Sequence, residues 1–219
     1  MSYQETVRAK HEFEDAFKEV LQLLSVMDSR ELELAAAKLG DGLQSDDLID
    51  DKSALLSARI IQMILALRSR GELAPKKMSR LWMRRKKKAY VNTLASRILA
   101  PENERYSKET EKVEAIRNLE IKNYYNQYAK WEKLVKTLPL WRRLFKKPPR
   151  PGWPKLTPLP VHPRYRSEVA QEISGSKNFG EILVDMVYYF KYPNIQYSDD
   201  YVKEENVRAT AIELLEYKE

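Results

Sequence analysis

The sequence predicts an all-α protein. Two observations carry that reading. Six glycines in 219 residues are too few for the turns that strand-rich folds need. Apolar residues recur at three- and four-residue steps along most of the chain, the signature of helices buried on one side; no convincing strand and no internal repeat accompany them. A hydrophobic content of 43% supplies a core, and 32% charged residues keep the surface polar.

The elements follow in order. Phe13, Phe17, Val20, Leu21, Leu24 and Met27 make one apolar stripe and a first helix. Ser29 is placed to cap a second, with Glu31 and Glu33 near its positive end, Leu32, Ala35, Ala36 and Leu39 inside, and Gly40 as its stop. An acidic loop over 41–51 holds five aspartates. A third helix begins near Asp51 and closes at Gly71, with Leu56, Ile60, Met63, Ile64 and Leu67 on its main face. Ile61 and Leu65 make it apolar on more than one side, so it is the expected centre of the bundle.

A fourth helix is expected over 75–99, with Pro75 in its first turn. At ~100° per residue, Lys76, Lys77, Arg80, Arg84, Lys87 and Lys88 share one arc, and Met78, Leu81, Trp82 and Ala89 lie opposite. After Lys88 the pattern turns over, and Val91, Leu94 and Ile98 take the direction of the lysines. Either the helix breaks near Lys88 or its second half packs on a different neighbour. Pro101 is expected to end it. A long helix then runs over 103–138. Its seam, Ile121, Tyr124, Tyr128, Trp131, Val135 and Leu138, is expected to lie against another helix.

Residues 139–167 differ in kind. They hold eight of the eleven prolines, two tryptophans and no acid, which predicts a stiff extended strap laid on a surface, its own or a partner's. Ser167 is placed to cap a short helix. Phe179, Ile182, Leu183, Met186, Val187 and Phe190 form the next stripe, ended by Pro193. Ser198 opens a last helix with Val202, Ala209, Ile212 and Leu215 inward. The expected organisation is a helical bundle over 1–138, the proline-rich strap over 139–167 and a small C-terminal helical unit over 168–219.

Charge is sorted into blocks. Residues 1–51 carry 13 acids and 5 bases, and 168–219 carry 11 and 5. Residues 52–101 carry 13 bases and one acid, and 139–167 carry 8 bases and none. The net +7 therefore hides a strongly basic middle, and the commonest counter-charge for such a block is a polyanion. The cations named for contact are Lys76, Lys77, Arg80, Arg84, Arg85, Lys86, Lys87 and Lys88, with Arg142, Arg143, Lys146 and Lys147 in the strap. At helical spacing they can neutralise phosphates without reading bases. The strap's tryptophans among cations suit an extended single strand or a protein groove. Residues 141–147 would also suit an anionic headgroup layer, but the segment is short and cut by prolines, so no membrane partner is expected.

No catalytic signature is present, so no enzyme and no cofactor is expected. The two histidines, His11 and His162, are far apart, and there is no nucleophile elbow, Gly-rich phosphate loop or cysteine. Asp46, Asp47, Asp50 and Asp51 read as a solvated loop rather than a magnesium site. The absence of cysteine and of a signal-like N-terminus fits the cytoplasm.

In these properties (helical, cysteine-free, basic at the centre, without chemistry) the chain resembles the small subunits of CRISPR surveillance complexes. That resemblance implies several copies packed along a guide-RNA ribonucleoprotein, holding the guide–target duplex or the displaced strand by its backbone. It makes Lys76 to Lys88 the expected contact. The alternative expectation is a structural scaffold whose strap wraps a partner protein.

Overall fold

The computed structural model describes residues 2–44 and 51–216. Among them the α-helices are α1 Tyr3–Val26, α2 Ser29–Gln44, α3 Asp51–Ser69, α4 Arg80–Thr137, α5 Leu140–Phe145, α6 Arg166–Ser176, α7 Phe179–Tyr188, α8 Ser198–Tyr201 and α9 Glu204–Glu216, with a 3₁₀ turn at Ile195–Tyr197 before α8. The described residues contain no strand. The chain forms two compact units: Met1–Arg97 with Tyr165–Glu219, and Ile98–Arg164. The C-terminal helices thus join the N-terminal ones rather than standing as a unit of their own.

In the first unit α2 packs against α3 and α7, and α1 against α9, α3 and α7. Each apolar stripe finds its place inside. Phe13, Val20, Leu21 and Leu24 of α1 and Ile60, Ile61 and Leu67 of α3 are fully buried, with Ile182, Met186 and Val187 of α7. The Phe13 ring lies 5.8 Å from Tyr192 and 5.7 Å from Tyr201.

The helix ends differ from the simple reading. Asp28, not Ser29, caps α2: its carboxylate accepts from the Glu31 amide at 2.8 Å, and Glu31 accepts from the Asp28 amide at 2.9 Å. Gly40 does not end α2, which continues to Gln44. Gly40 and Gly42 together weaken the helix by only about 2 kcal/mol, less than the burial of Leu32, Ala35 and Leu39 supplies. The Tyr165 amide donates to Glu168, which places Ser167 inside α6 rather than at its cap. The last helix is broken after Tyr201, and Val207 and Ala211 face inward while Ala209 is exposed. Gly71 closes α3 as expected, at φ 75°, a conformation that favours glycine.

In the second unit, Pro101 lies inside α4 instead of ending it. Proline costs about 3 kcal/mol in a helix interior, chiefly through the bond that its missing N–H cannot give to the carbonyl four residues back. Here that carbonyl belongs to Arg97, where the two units divide. Buried Leu99 before the proline, and Glu102 and Tyr106 held by the strap after it, offset the cost.

The seam of α4 is covered by the strap, not by another helix. Residues 148–164 run antiparallel along α4. Trp131 Nε1 donates to the Pro148 carbonyl at 3.0 Å, and Trp153 meets Tyr124 edge-on at 4.8 Å. Thr157 donates to Glu120 through its amide (3.1 Å) and hydroxyl (2.9 Å). The His162 ring lies 5.0 Å from Tyr106, and Arg164 pairs with Glu102 at 3.5 Å. Pro148, Pro151, Pro154, Thr157, Pro160 and Pro163, one residue in three, are half-buried. Three residues per turn is the polyproline II repeat, so these six share one edge. The lengths agree: 16 steps of polyproline II cover ~50 Å, and the 29 helical steps from residue 102 to 131 cover ~44 Å.

Candidate nucleic-acid interface

Lys76 and Lys77 do not lie on a helix. Residues 73–79 form no helix or strand, and α4 starts only at Arg80. The Lys76 amide donates to the Ser25 carbonyl at 2.9 Å and its ammonium to the Leu214 carbonyl at 2.8 Å. Lys76 is therefore a tie within the first unit, whereas Lys77 is exposed. The late helix start has a local cause: Ser79 accepts from the Trp82 amide at 3.2 Å and so caps α4, satisfying a donor that has no partner in the helix.

The remaining cations of the run occupy the first three turns of α4. With Arg80 at zero, Lys87, Arg84 and Lys88 fall within an arc of ~100°, and Arg85 lies to one side. Arg80, Arg84, Arg85 and Lys88 are exposed. Lys86 lies over the buried Trp82 ring at 5.6 Å, and the Lys87 ammonium donates to the Lys177 carbonyl at 3.3 Å. None of Arg80, Arg84, Arg85, Lys86, Lys87 and Lys88 pairs with a carboxylate among the described residues; Glu72 is held by Arg70 and Arg208, and Glu204 by Arg70.

The helix does not break near Lys88. Its buried face turns instead. Trp82 is inside on the side away from the cations, and from Tyr90 onward the cationic side becomes the inner one. There Val91, Leu94 and Ala95 are buried, and Tyr90 stacks on Phe179 at 6.4 Å. Burial raises the Tyr90 hydroxyl to about 12. Arg97 lies over Phe190 at 5.5 Å, and loss of water lowers its pKa.

The N-terminus of α4 also departs from its neighbours. In the same unit α1, α2, α3, α6, α7, α8 and α9 all carry an acid in the first turn, and α4 carries none. Acids there answer the positive end of the helix dipole. In α4 that end is followed by six cations in nine residues, so dipole and side chains add to one positive field.

Sequence reasoning missed a second group of cations. Asp185, 4% exposed, accepts from both Lys38 and Lys177. One carboxylate thus answers two ammoniums, and Lys38 also lies 4.7 Å over the Tyr188 ring. The only available signal was an isolated aspartate in the apolar stripe of α7.

The strap cations divide between two tasks. Arg143 donates through Nε to the Leu138 carbonyl at 2.8 Å and also reaches the Lys136 carbonyl, closing the end of α4. Lys147 lies over Trp131 and Arg150 over Tyr128, both at 4.8 Å, pinning the strap. Arg142 lies over Trp141 at 5.0 Å, and Arg142 and Lys146 are exposed.

Asp46, Asp47 and Asp50 lie outside the described residues, and Asp51 opens α3. Among the described residues no three His, Asp or Glu side chains are grouped to hold a metal ion, and no helix is long and apolar enough to cross a membrane. No protein-family model, curated protein or solved structure matches the chain.

Proposed function

We propose that the chain binds the phosphate backbone of nucleic acid, without reading base sequence, through the first three turns of α4. One observation carries this reading: Arg80, Arg84, Arg85, Lys86, Lys87 and Lys88 meet no carboxylate among the described residues, at a helix start that lacks the customary acid. Phosphates brought there replace condensed counterions and meet both side-chain charge and helix dipole. Arg80, Arg84, Arg85 and Lys88 make the direct contacts, and Lys77 extends them. Lys86 and Lys87, tied at their heads to Trp82 and to the Lys177 carbonyl, add field. Nothing in this arrangement selects a base, so affinity should follow phosphate count. The same reading makes the chain a non-catalytic subunit of a ribonucleoprotein assembly, the part played by the CRISPR small subunits that it resembles in overall properties.

The test is a salt titration of binding to random-sequence DNA and RNA, single- and double-stranded. The variant is Arg84→Ala, Arg85→Ala and Lys88→Ala together, which touches no buried side chain. The slope of log K against log salt should become shallower by about 0.9 per lost contact on duplex and about 0.7 on single strands. Identical slopes for wild type and variant would remove α4 from the binding surface.

A further inference from the structure

We propose that α5 is a peripheral attachment site for an anionic lipid surface. In sequence the prolines cut this segment short; in the structure they frame a formed helix. Pro139 stands at its N-cap, and the Arg142 and Arg143 amides donate to the Pro139 carbonyl at 3.0 and 3.1 Å. The Arg143 guanidinium ties α5 to the end of α4, and the Trp131–Pro148 bond fixes the chain just beyond.

The helix presents its apolar side chains outward. Leu140, Trp141, Leu144 and Phe145 are 75%, 52%, 71% and 81% exposed. By helical spacing they cover an arc of ~140°, with Arg142 and Arg143 on the remaining side. Lys146, Lys147 and Arg150 follow, and residues 139–167 contain no acid. Large apolar side chains grouped in the open mark an interaction site.

The shape and the chemistry select the occupant. Nucleic acid accepts Trp141 and Phe145 by stacking but has no place for Leu140 and Leu144. A second copy would bring a like-charged tip and be repelled. Leu140, Leu144 and Phe145 are each more than two-thirds exposed, and a deformable interface accepts them without a matching groove. Tryptophan and phenylalanine at headgroup depth, leucines below them and cations at the rim are the composition of an interfacial helix on anionic lipid. This site is independent of the α4 surface.

The experiment is sedimentation of the full chain with vesicles of phosphatidylcholine alone, or with about 30% phosphatidylglycerol to give the anionic surface, read also by tryptophan emission. Binding with a blue shift is expected only on the anionic vesicles. Leu144→Ser with Phe145→Ser should abolish it. Arg142→Gln with Lys146→Gln should weaken it about 25-fold, since each surface cation contributes roughly fivefold. Arg84→Ala, Arg85→Ala and Lys88→Ala together should leave it unchanged. These side chains are exposed, so far-UV circular dichroism and thermal unfolding should match wild type. The proposal is overturned by absence of binding to anionic vesicles, or by equal binding of the Leu144→Ser, Phe145→Ser variant. It is equally overturned if that variant loses nucleic-acid binding in place of vesicle binding.

Discussion

Removing the Trp131 side chain should release the strap from α4. Trp131 is half-buried and serves the strap in two ways: its indole N–H donates to the Pro148 carbonyl at 3.0 Å, and its face carries the Lys147 ammonium at 4.8 Å. A half-buried indole hides on the order of 100 Å², about 2 kcal/mol after allowance for a partly collapsed unfolded chain. The hydrogen bond adds about 1 kcal/mol and the cation–ring contact about 0.5 kcal/mol. Trp131→Ala should therefore weaken docking by about 3.5 kcal/mol, a factor on the order of several hundred in the detached population. Trp131→Phe keeps the ring and loses the N–H, about 1 kcal/mol or roughly fivefold. Tryptic cleavage after Lys155, within the docked stretch, reads that population when reclosing outpaces cutting. Trp141→Ala, on the exposed α5, is the control. If Trp131→Ala speeds cleavage no more than Trp141→Ala does, the strap is not held by the seam.

Two further predictions concern the first unit. Asp185→Asn leaves two ammoniums facing a neutral group. Full burial of such a pair makes the loss 3–5 kcal/mol, but Lys38 and Lys177 are more than a third exposed and can turn to water, so about 1–2 kcal/mol is expected. A urea midpoint unchanged from wild type would show that the pairs contribute nothing to α2–α7 docking. Tyr90 has its hydroxyl raised to about 12 by burial. Between pH 10 and 12 the unfolded chain loses this proton while the folded one keeps it, so stability falls as pH rises, by about 3 kcal/mol across that range. Below pH 10 the group has no effect. Tyr90→Phe should flatten that part of the alkaline unfolding curve, and an unaltered curve would place the hydroxyl in water.

The stripes, and with them the all-α class, were legible because helical periodicity records which face is apolar. Phe13, Ile60 and Met186 went inside for that reason. The cationic run was equally legible, since no acid interrupts Arg80 to Lys88. The period of three in Pro148, Pro151, Pro154, Thr157, Pro160 and Pro163 also stood in the sequence, and it matches neither the helix nor the strand repeat. Other features were not local properties. Periodicity says that the Tyr124–Tyr128–Trp131 seam wants cover but not what covers it, and a polyproline edge of matching length met the need as well as a helix. Proline chemistry argued for a stop at Pro101, and burial of Leu99 with strap contacts to Glu102 and Tyr106 outweighed a cost of about 3 kcal/mol. Lys38, Lys177 and Asp185 became one cluster only when α2 packed on α7, because contacts 147 residues apart have no signature in either segment. Local pattern determined the faces, and tertiary packing, which sums many small burials at once, decided their partners.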